Sequence, residues 1–237
     1  MTSVATKGEL KGPSTDGLWW WEGWSSPRIL AGVAGRSADP AAWARQLPGA
    51  TRLIQAEQVH GASLALIEHA ALSSAVIPGC DALLTRLSGV ALIARSADCL
   101  PLFVSDPRRG AIGIIHAGWR GLASELPMRV VAAFRHLTAS APAELDVAIG
   151  PGIRACCYEV SPDFGGAWCH PFLAARDGRW YCDLPAAARA QLLACGVRPA
   201  RLVDSGLCTA CALQTWYSLR REGEATGRLS SFIMGRA

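Results

Sequence analysis

Short apolar runs separated by turn-forming residues dominate the middle of the chain. Runs of four to eight apolar residues, bounded by glycine, proline or aspartate, are typical of buried β-strands. They occupy residues 51–60, 89–94, 102–105, 111–115 and 145–149. A group of tryptophans predicts one more strand near the N-terminus, packed on the core, at Trp19, Trp20, Trp21 and Trp24. The pattern therefore predicts a sheet-rich protein.

Two later stretches have the spacing of a helix instead. Apolar residues at helical spacing predict a helix over 121–137, with Pro127 either in its first turn or at a kink. Asp183 is typical of a helix N-cap, and Gly196 is typical of the residue that ends a helix. No internal repeat or linker interrupts the chain. We therefore predict one domain over residues 1–237, of mixed α/β class, in which several strands pair antiparallel.

A hairpin turn is predicted at residues 106–109, where aspartate and proline stand at the first two positions. If these four residues close the hairpin, Ser105 pairs with Gly110 and Cys99 faces His116. Facing residues have Cβ atoms roughly 4.5–5.5 Å apart. That separation suits two ligands of one metal ion, or a thiol and an imidazole in one dyad. A one-residue shift of the register or a bulge would separate them.

Polar and turn-forming residues flank this pair, with Asp98 before Cys99 and residues 118–121 after His116. A strand that ends in such residues commonly delivers side chains to a site. A buried cysteine and histidine in a core hairpin are the alternative. His60 also ends a predicted strand and is the natural third partner. Two imidazoles and one thiolate match the three protein ligands of catalytic zinc, whose fourth position is open to water.

Composition and charge narrow the class of protein. The 237 residues are 51% hydrophobic and 18% charged, with a formal net charge of +4, which excludes a disordered chain. The small basic excess forms no nucleic-acid-binding tail, and no apolar run has the length of a membrane span or the form of a secretory signal. Nine cysteines without a signal indicate reduced thiols. We therefore expect a cytoplasmic protein that binds neither nucleic acid nor membranes.

Several motifs follow one another along the chain in a characteristic order. They are Gln58-Val-His60-Gly61, Asp98-Cys99-Leu-Pro101, His116-Ala-Gly-Trp-Arg120-Gly121, Ile149-Gly-Pro-Gly-Ile153, Cys157-Tyr158-Glu159-Val160, Cys208-Thr209, and Ser218-Leu-Arg220-Arg221 with Thr226-Gly227-Arg228. Together they resemble the YfiH/DUF152 family, long called laccase-domain or multicopper polyphenol oxidase proteins. The motifs span most of the chain, and the His-Ala-Gly-Trp-Arg-Gly motif after Asp-Cys-x-Pro is highly specific.

The resemblance implies a fold and an activity. The fold would be a four-layer α/β/β/α arrangement of mixed sheets, of the YfiH and cytotoxic necrotising factor type. The activity would be that of a purine nucleoside phosphorylase, which uses phosphate to cleave adenosine, inosine, guanosine and methylthioadenosine and also deaminates adenosine. The family's metal ligands fall here on His60, Cys99 and His116, with zinc expected and copper as an alternative. The implied partners are purine nucleosides and phosphate, and we expect a monomer or a weak homo-oligomer.

Two further roles follow from this chemistry. Deamination needs a carboxylate that moves protons, for which Asp98 is the first choice and Glu57 the second. A planar guanidinium can bind phosphate through two hydrogen bonds, and Arg120 is the best candidate because it follows the metal histidine by four residues. Further phosphate-binding candidates, with solvated surface arginines as the alternative interpretation, are Arg220, Arg221 and Arg228. The predicted catalytic residues are therefore Cys99, His116, Asp98 and Arg120.

Three other functions stay open at this point. In a metal-free hydrolase or deamidase, Cys99 would be the nucleophile and His116 its base. One copper ion held by two histidines and a cysteine would allow polyphenol oxidation, although five histidines are too few for a complete multicopper oxidase. Cys208 and Cys211 form a lone C-x-x-C pair, which is a weak indication of a metal-binding or redox module. We interpret the cysteines at 156–157 as core or loop residues.

Overall fold

The structure is a computed structural model, and it describes residues 8–39, 42–69 and 75–236. Its strands are β1 (Glu9–Lys11), β2 (Leu18–Glu22), β3 (Ile29–Ala34), β4 (Arg52–Ala56), β5 (Leu64–Ile67), β6 (Ala75–Ile77), β7 (Ala82–Thr85), β8 (Val90–Ser96), β9 (Leu100–Asp106), β10 (Ala111–Ala117), β11 (Asp146–Ile149), β12 (Glu159–Val160), β13 (Leu173–Arg176), β14 (Arg179–Cys182), β15 (Leu202–Asp204) and β16 (Leu229–Gly235). The α-helices are α1 (Trp119–Ala123), α2 (Leu126–Thr138), α3 (Leu184–Ala194) and α4 (Leu219–Glu222). Short 3-10 helices occupy Trp43–Gln46, Pro142–Glu144, Gly166–Trp168, His170–Phe172 and Pro199–Arg201.

Most strands belong to two large mixed sheets. A seven-stranded sheet has the order β1-β2-β3-β16-β8-β4-β6, and a six-stranded sheet has the order β15-β11-β9-β10-β7-β5. Strands β12, β14 and β13 form a small third sheet. Antiparallel pairs predominate, but β4 runs parallel to both β6 and β8, β5 runs parallel to β7, and β11 runs parallel to β15. The predicted mixed α/β class is confirmed.

An apolar core fills the space between the two large sheets. Leu92 and Ile233 of the seven-stranded sheet pack in one cluster with Phe103 and Ile114 of the six-stranded sheet. Helices α2 and α3 cover the other face of the six-stranded sheet. On the outer face of the seven-stranded sheet lies the 3-10 helix Trp43–Gln46. The layers are therefore helices, sheet, sheet and a short 3-10 segment, and the described residues place no α-helix in the fourth layer.

The predicted N-terminal strand is present as β2. Trp21 and the following Trp24 are buried, and their rings lie 6.1 Å and 6.5 Å from the ring of Phe103. Trp19 packs on Trp216 with ring centroids 4.9 Å apart. Aromatic side chains bury large apolar areas, so these contacts attach the first strands to the core between the sheets.

The helix predicted over 121–137 is divided in the structure. Glu125 has a left-handed backbone (φ 57°), which separates α1 from α2. Pro127 lies in the first turn of α2, where a missing N–H costs no helical hydrogen bond. Asp183 caps α3 as predicted, and its Oδ1 accepts a hydrogen bond from the N–H of Ala186 at 2.9 Å. None of the helices in the described residues is long and apolar enough to cross a membrane.

Candidate metal and nucleoside site

Asp81 anchors the site from the six-stranded sheet. It immediately precedes β7, which pairs with β10 so that Ala82 stands opposite Ile115. Asp81 therefore lies beside His116, whose N–H donates to the Asp81 carbonyl at 2.8 Å. The side chains also meet, with His116 Nδ1 2.9 Å from Asp81 Oδ1. Because Nδ1 is engaged by a carboxylate, the imidazole presents Nε2 to the site, which is the usual arrangement of a metal-ligating histidine.

The loop that carries His60 is attached to the same carboxylate. The N–H groups of His60 and Gly61 donate to the two oxygens of Asp81 at 2.9 Å and 2.7 Å. Gln58 fixes the loop from the other side, because its amide bonds the backbone of Arg95 as both donor and acceptor. Gln58 and His60 have left-handed backbones, with φ of 67° and 59°. Such conformations are unfavourable for residues other than glycine and cluster at functional sites.

Cys99 reaches the site in a register that differs from the predicted one. In the structure Asp106 pairs with Ala111 and Pro101 pairs with His116. The same register, continued beyond the strands, places Cys99 opposite Gly118 and not opposite His116. The predicted direct pairing is wrong by two positions. A shift of two preserves the face of the sheet, so Cys99 and His116 still lie on the same side.

The hairpin turn explains this difference. The loop consists of residues 107–110, and Asp106 belongs to the strand. Its carboxylate accepts hydrogen bonds from the N–H groups of Arg108 and Arg109 at 3.0 Å and 3.1 Å. Gly110 has a φ of +72°, a conformation that glycine adopts without strain at the end of the loop. The aspartate thus stabilises the turn from the position before the loop.

Three potential metal ligands converge where these elements meet. The ligand atoms of His60, Cys99 and His116 all lie within 4.8 Å of one another. The two imidazole rings are nearly perpendicular, at 83°, with centroids 4.8 Å apart. A methyl group on Gly118 would lie 3.0 Å from Cys99 Sγ, so a side chain at this position would press on the thiol. His116 is buried and His60 is exposed, so the outer side of the group is accessible for a further ligand. This donor set fits zinc, and it also fits a single copper ion.

The electrostatics favour a charged pair at this position. Burial acts to raise the pKa of the Cys99 thiol, but contacts with His116 and His60 outweigh it and lower the pKa to about 6. Burial acts to lower the pKa of His116, but its bonds with Asp81 and Cys99 raise it to about 9. Burial also acts to raise the pKa of Asp81, yet hydrogen bonds hold it below its ordinary value. Without a metal, Cys99 is therefore a thiolate beside an imidazolium at neutral pH.

Asp98 is buried next to Cys99 and is held on both oxygens. Oδ1 accepts from the Thr209 hydroxyl at 2.6 Å, and Oδ2 accepts from the N–H of Arg220 at 2.7 Å. The Asp98 backbone is left-handed, with φ of 88°, and its carbonyl accepts from the N–H of Ile153 at 2.8 Å. Asp98 therefore connects three segments that are far apart in the sequence.

Two cavities meet at the ligand group, and both are lined by His60 and Cys99. The Tyr158 cavity, of about 370 Å³, is also lined by Asp98, Trp119, Arg120, Tyr158 and Arg220. The Arg228 cavity, of about 530 Å³, is also lined by Glu57, Arg95, His116, Glu224 and Arg228. Volumes of 300–1,000 Å³ are typical of small-molecule sites. The predicted site residues thus line these two cavities, with the exception of Arg221, whose guanidinium lies 3.8 Å from Cys157 Sγ.

Asp81 was missed by the sequence analysis, as was the role of Gln58. Asp81 follows the turn-forming pair Pro78-Gly79, and its relation to His116 depends on the pairing of β7 with β10, which no local pattern reveals. Gln58 lies within a recognised motif, but its bonds to Arg95 depend on the tertiary fold. The other three histidines, His69, His136 and His170, belong to no group of potential metal ligands among the described residues.

Comparison with known proteins identifies the family. Residues 38–236 match the family described as multi-copper polyphenol oxidoreductase laccase, so the chain belongs to that family. The chain is 34% identical over 196 residues to "Purine nucleoside phosphorylase YlmD" of Geobacillus stearothermophilus, covering 77% of this chain and 72% of the relative. It is 33% identical over 190 residues to "Adenosine deaminase RL5" of an unknown prokaryotic organism, covering 74% and 72%.

A solved structure supports the same assignment. The crystal structure of YlmD from Geobacillus stearothermophilus superposes with a TM-score of 0.81 at 28% identity, covering 97% of this chain and 100% of that one. The resemblance to the YfiH/DUF152 family and its mixed α/β fold is therefore confirmed. The chain belongs to a family whose curated members include proteins named for purine nucleoside phosphorolysis and for adenosine deamination.

The charged pair gives a test of the site's electrostatics. In metal-free protein, alkylation of Cys99 by iodoacetamide should follow its thiolate and fall with a midpoint near pH 6 as the pH is lowered. Asp81→Asn removes the carboxylate that stabilises protonated His116, so the midpoint should rise. Asp177→Asn, at the exposed tip of the β13–β14 hairpin, should leave it unchanged. Peptide mass spectrometry reports the labelling, and a wild-type midpoint near the ordinary value of about 8.5 would contradict the assignment.

Proposed function

We propose that this protein is a purine nucleoside phosphorylase that also deaminates adenosine, at one metal site formed by His60, Cys99 and His116. The observation that supports this proposal most strongly is the convergence of these ligand atoms, within 4.8 Å of one another, where two cavities of nucleoside size meet. The relatives named purine nucleoside phosphorylase and adenosine deaminase indicate the substrate class.

The ligand group fits a zinc ion, which when bound would supply a Lewis acid that polarises an oxygen ligand. The chain's own residues prepare the ligands for it. Asp81 fixes His116 through Nδ1 and holds the backbone of His60 and Gly61 at the same time. Cys99 is already a thiolate at neutral pH, so the proton released when a cation binds comes from the His116 imidazolium and not from the thiol.

Phosphate binding is assigned to the arginines of the two cavities. Arg120 lies in the Tyr158 cavity with its guanidinium 4.5 Å above the Trp119 ring. Arg220 lies in the same cavity, 4.9 Å above the Tyr158 ring, and Arg228 lines the other cavity. Planar guanidinium groups suit bidentate recognition of phosphate. Phosphate held there would attack C1′ of the ribose and release the free purine base and ribose 1-phosphate.

Deamination consumes water and adenosine and yields inosine and ammonia, so a nearby group must transfer protons. Asp98 and Glu57 both lie at the cavity walls. Both oxygens of Asp98 already accept hydrogen bonds, which favours a positioning role for Asp98 beside Cys99. Glu57 is exposed at the rim, and its Oε2 accepts from the N–H of Gly79 at 2.7 Å. These contacts shift the preference for the proton-transferring carboxylate towards Glu57.

The activity is tested with purified protein, adenosine or inosine, and phosphate present or absent. We expect free base only with phosphate, and inosine from adenosine without it. Cys99→Ala and His116→Ala should lose the bound metal and at least about 100-fold of both activities, since loss of even an outer partner of a ligand costs 10–100-fold. Cys195→Ala, at the end of α3, should retain both. Wild-type turnover in either ligand variant would show that the site is assigned wrongly.

The arginine assignment has its own kinetic signature. Arg120→Ala should raise the KM for phosphate by about 10- to 100-fold, because a hydrogen bond to a charged group contributes about 1.5–3 kcal/mol. The rate of phosphate-independent deamination should change much less. Arg189→Ala, exposed on α3, is the matched control and should change neither. An unchanged KM for phosphate in the Arg120 variant would remove this residue from the phosphate site.

A metal-free cysteine hydrolase or deamidase is the second candidate. It is favoured by one observation, the alignment of Asp81, His116 and Cys99 as carboxylate, imidazolium and thiolate. The two candidates respond oppositely to treatment. Activity that survives a chelator but disappears on alkylation of Cys99 supports the hydrolase. Activity that is lost to the chelator and restored by zinc supports the metal enzyme, and restoration by copper of phenol oxidation would support the copper alternative.

A further inference from the structure

A second group of potential metal ligands lies outside the site described above. The four-cysteine cluster consists of Cys156, Cys157, Cys208 and Cys211, and its sulfur atoms all lie within 4.8 Å of one another. Cys211 Sγ is 3.5 Å from Cys156 Sγ and 3.4 Å from Cys157 Sγ. In the sequence, Cys208 and Cys211 form a C-x-x-C pair that is only a weak indication of a metal site, and Cys156 and Cys157 have the pattern of core or loop residues. The fold brings the two pairs together.

The spacing of these sulfurs matches a tetrathiolate metal centre. Four sulfurs around one zinc ion, at a Zn–S distance of about 2.3 Å, stand about 3.8 Å from one another. The sulfurs of a disulfide are about 2.05 Å apart. The measured separations of 3.4 Å and 3.5 Å are close to the value for a zinc centre and far from that of a disulfide. A disulfide joins two cysteines, whereas four converge here.

Backbone hydrogen bonds shape both loops of the cluster. In the first loop (residues 151–158), the Arg154 carbonyl accepts from the N–H groups of Cys157 and Tyr158, both at 2.8 Å. In the second loop (residues 205–212), the N–H of Cys211 donates to the carbonyl of Cys208 at 3.3 Å, and the two sulfurs lie within 4.8 Å of each other. A turn between Cys208 and Cys211 therefore brings that pair together, and a turn that begins at Arg154 positions the consecutive Cys156 and Cys157.

The two loops are also joined directly. Gly152 forms a parallel bridge with Cys208, and the N–H of Thr209 donates to the carbonyl of Gly152 at 3.2 Å. Arg154 extends the junction, because its guanidinium bonds the carbonyl of Leu207 and pairs with Asp204. The thiols thus meet at a junction that the backbone already defines.

Cationic side chains border the cluster. Arg221 Nη2 lies 3.8 Å from Cys157 Sγ, and Arg176 Nη2 donates to the carbonyl of Cys156 at 3.2 Å. Four thiolates around a divalent cation carry a net charge of −2, which two nearby guanidinium groups can offset. Charge as well as geometry therefore suits a bound divalent ion.

We propose that Cys156, Cys157, Cys208 and Cys211 bind a single structural zinc ion that fastens the first loop to the second. Thiolates select soft or borderline ions such as zinc, and the four thiols give up their protons to solvent when the ion binds. With four protein ligands, the ion has no open position for substrate. Cys156 and Cys211 are exposed, so the ion can load from solvent after folding.

The ion would support the catalytic wall from behind. Thr209 of the second loop donates its hydroxyl to Asp98, and Ile153 of the first loop donates its N–H to the Asp98 carbonyl. Ile153 and Tyr158 also line the Tyr158 cavity. Loss of the ion should therefore loosen Asp98 and this cavity without removing any of the three metal ligands of the first site.

Zinc content of the variants tests the proposal separately from the proposed function. After zinc loading and desalting, wild-type protein should hold two zinc ions per chain. The Cys156→Ser/Cys211→Ser double variant should hold one, Cys99→Ala should hold the other one, and the control Cys195→Ser should hold two. A double variant with the wild-type zinc content overturns the four-cysteine site. If Cys99→Ala keeps the wild-type zinc content while the double variant loses zinc, the four-cysteine site stands. Only the metal site at His60, Cys99 and His116 is then overturned.

Protection of the cluster thiols from alkylation can be measured in the wild-type chain, so the proposal remains testable if the double variant does not fold. With zinc bound, the four cysteines should resist alkylation, and a chelator should expose them together, as peptide mass spectrometry will show. Cobalt in place of zinc should give the thiolate-to-metal charge-transfer absorption of a tetrathiolate centre. Cluster cysteines that react equally with and without zinc, or that are recovered as a disulfide from the zinc-loaded protein, overturn the proposal.

Discussion

The candidate site depends on the hydrogen bonds that the carboxylate of Asp81 accepts. It is 1% exposed, and its oxygens take hydrogen bonds from His116 Nδ1 and from the N–H groups of His60 and Gly61. A buried carboxylate without partners would cost several kcal/mol. The fold satisfies this one with groups that a metal site needs in fixed positions. The cost of burying the charge is therefore offset by the same bonds that orient the ligands.

This arrangement also connects the two sheets to one another at the site. Asp81 and His116 lie at the ends of β7 and β10 in the six-stranded sheet, whereas His60 follows β4 of the seven-stranded sheet. The packed core between the sheets fixes how far apart these strand ends lie. Interiors of this kind are close-packed and deform little. The packing of the two sheets thus fixes the distance between the imidazoles of His60 and His116. The absence of a side chain at Gly118 leaves space for the Cys99 thiol.

Local pattern predicted six of the sixteen described strands, namely β2, β4, β8, β9, β10 and β11, and the cap of α3. The three residues proposed as metal ligands stand in recognised motifs, which is why the sequence could point to them. The hairpin register differed by two positions because Asp106 caps its turn from within the strand, and left-handed Glu125 divided the helix. The sequence could not predict the role of Asp81 or the convergence of Cys156 and Cys157 with Cys208 and Cys211. Each joins segments that are distant in the sequence, and only the packed chain brings them together.

Anomalous diffraction at the zinc absorption edge, from crystals of the zinc-loaded chain, locates an ion at the candidate site. We expect a peak bound by His60, Cys99 and His116, at about 2.0–2.1 Å from the nitrogens and about 2.3 Å from the sulfur. Asp81 should accept the hydrogen bond of His116 Nδ1 behind it. Fully loaded crystals without density between these three residues, and with Cys99 in direct contact with His116, would contradict a metal site formed by His60, Cys99 and His116.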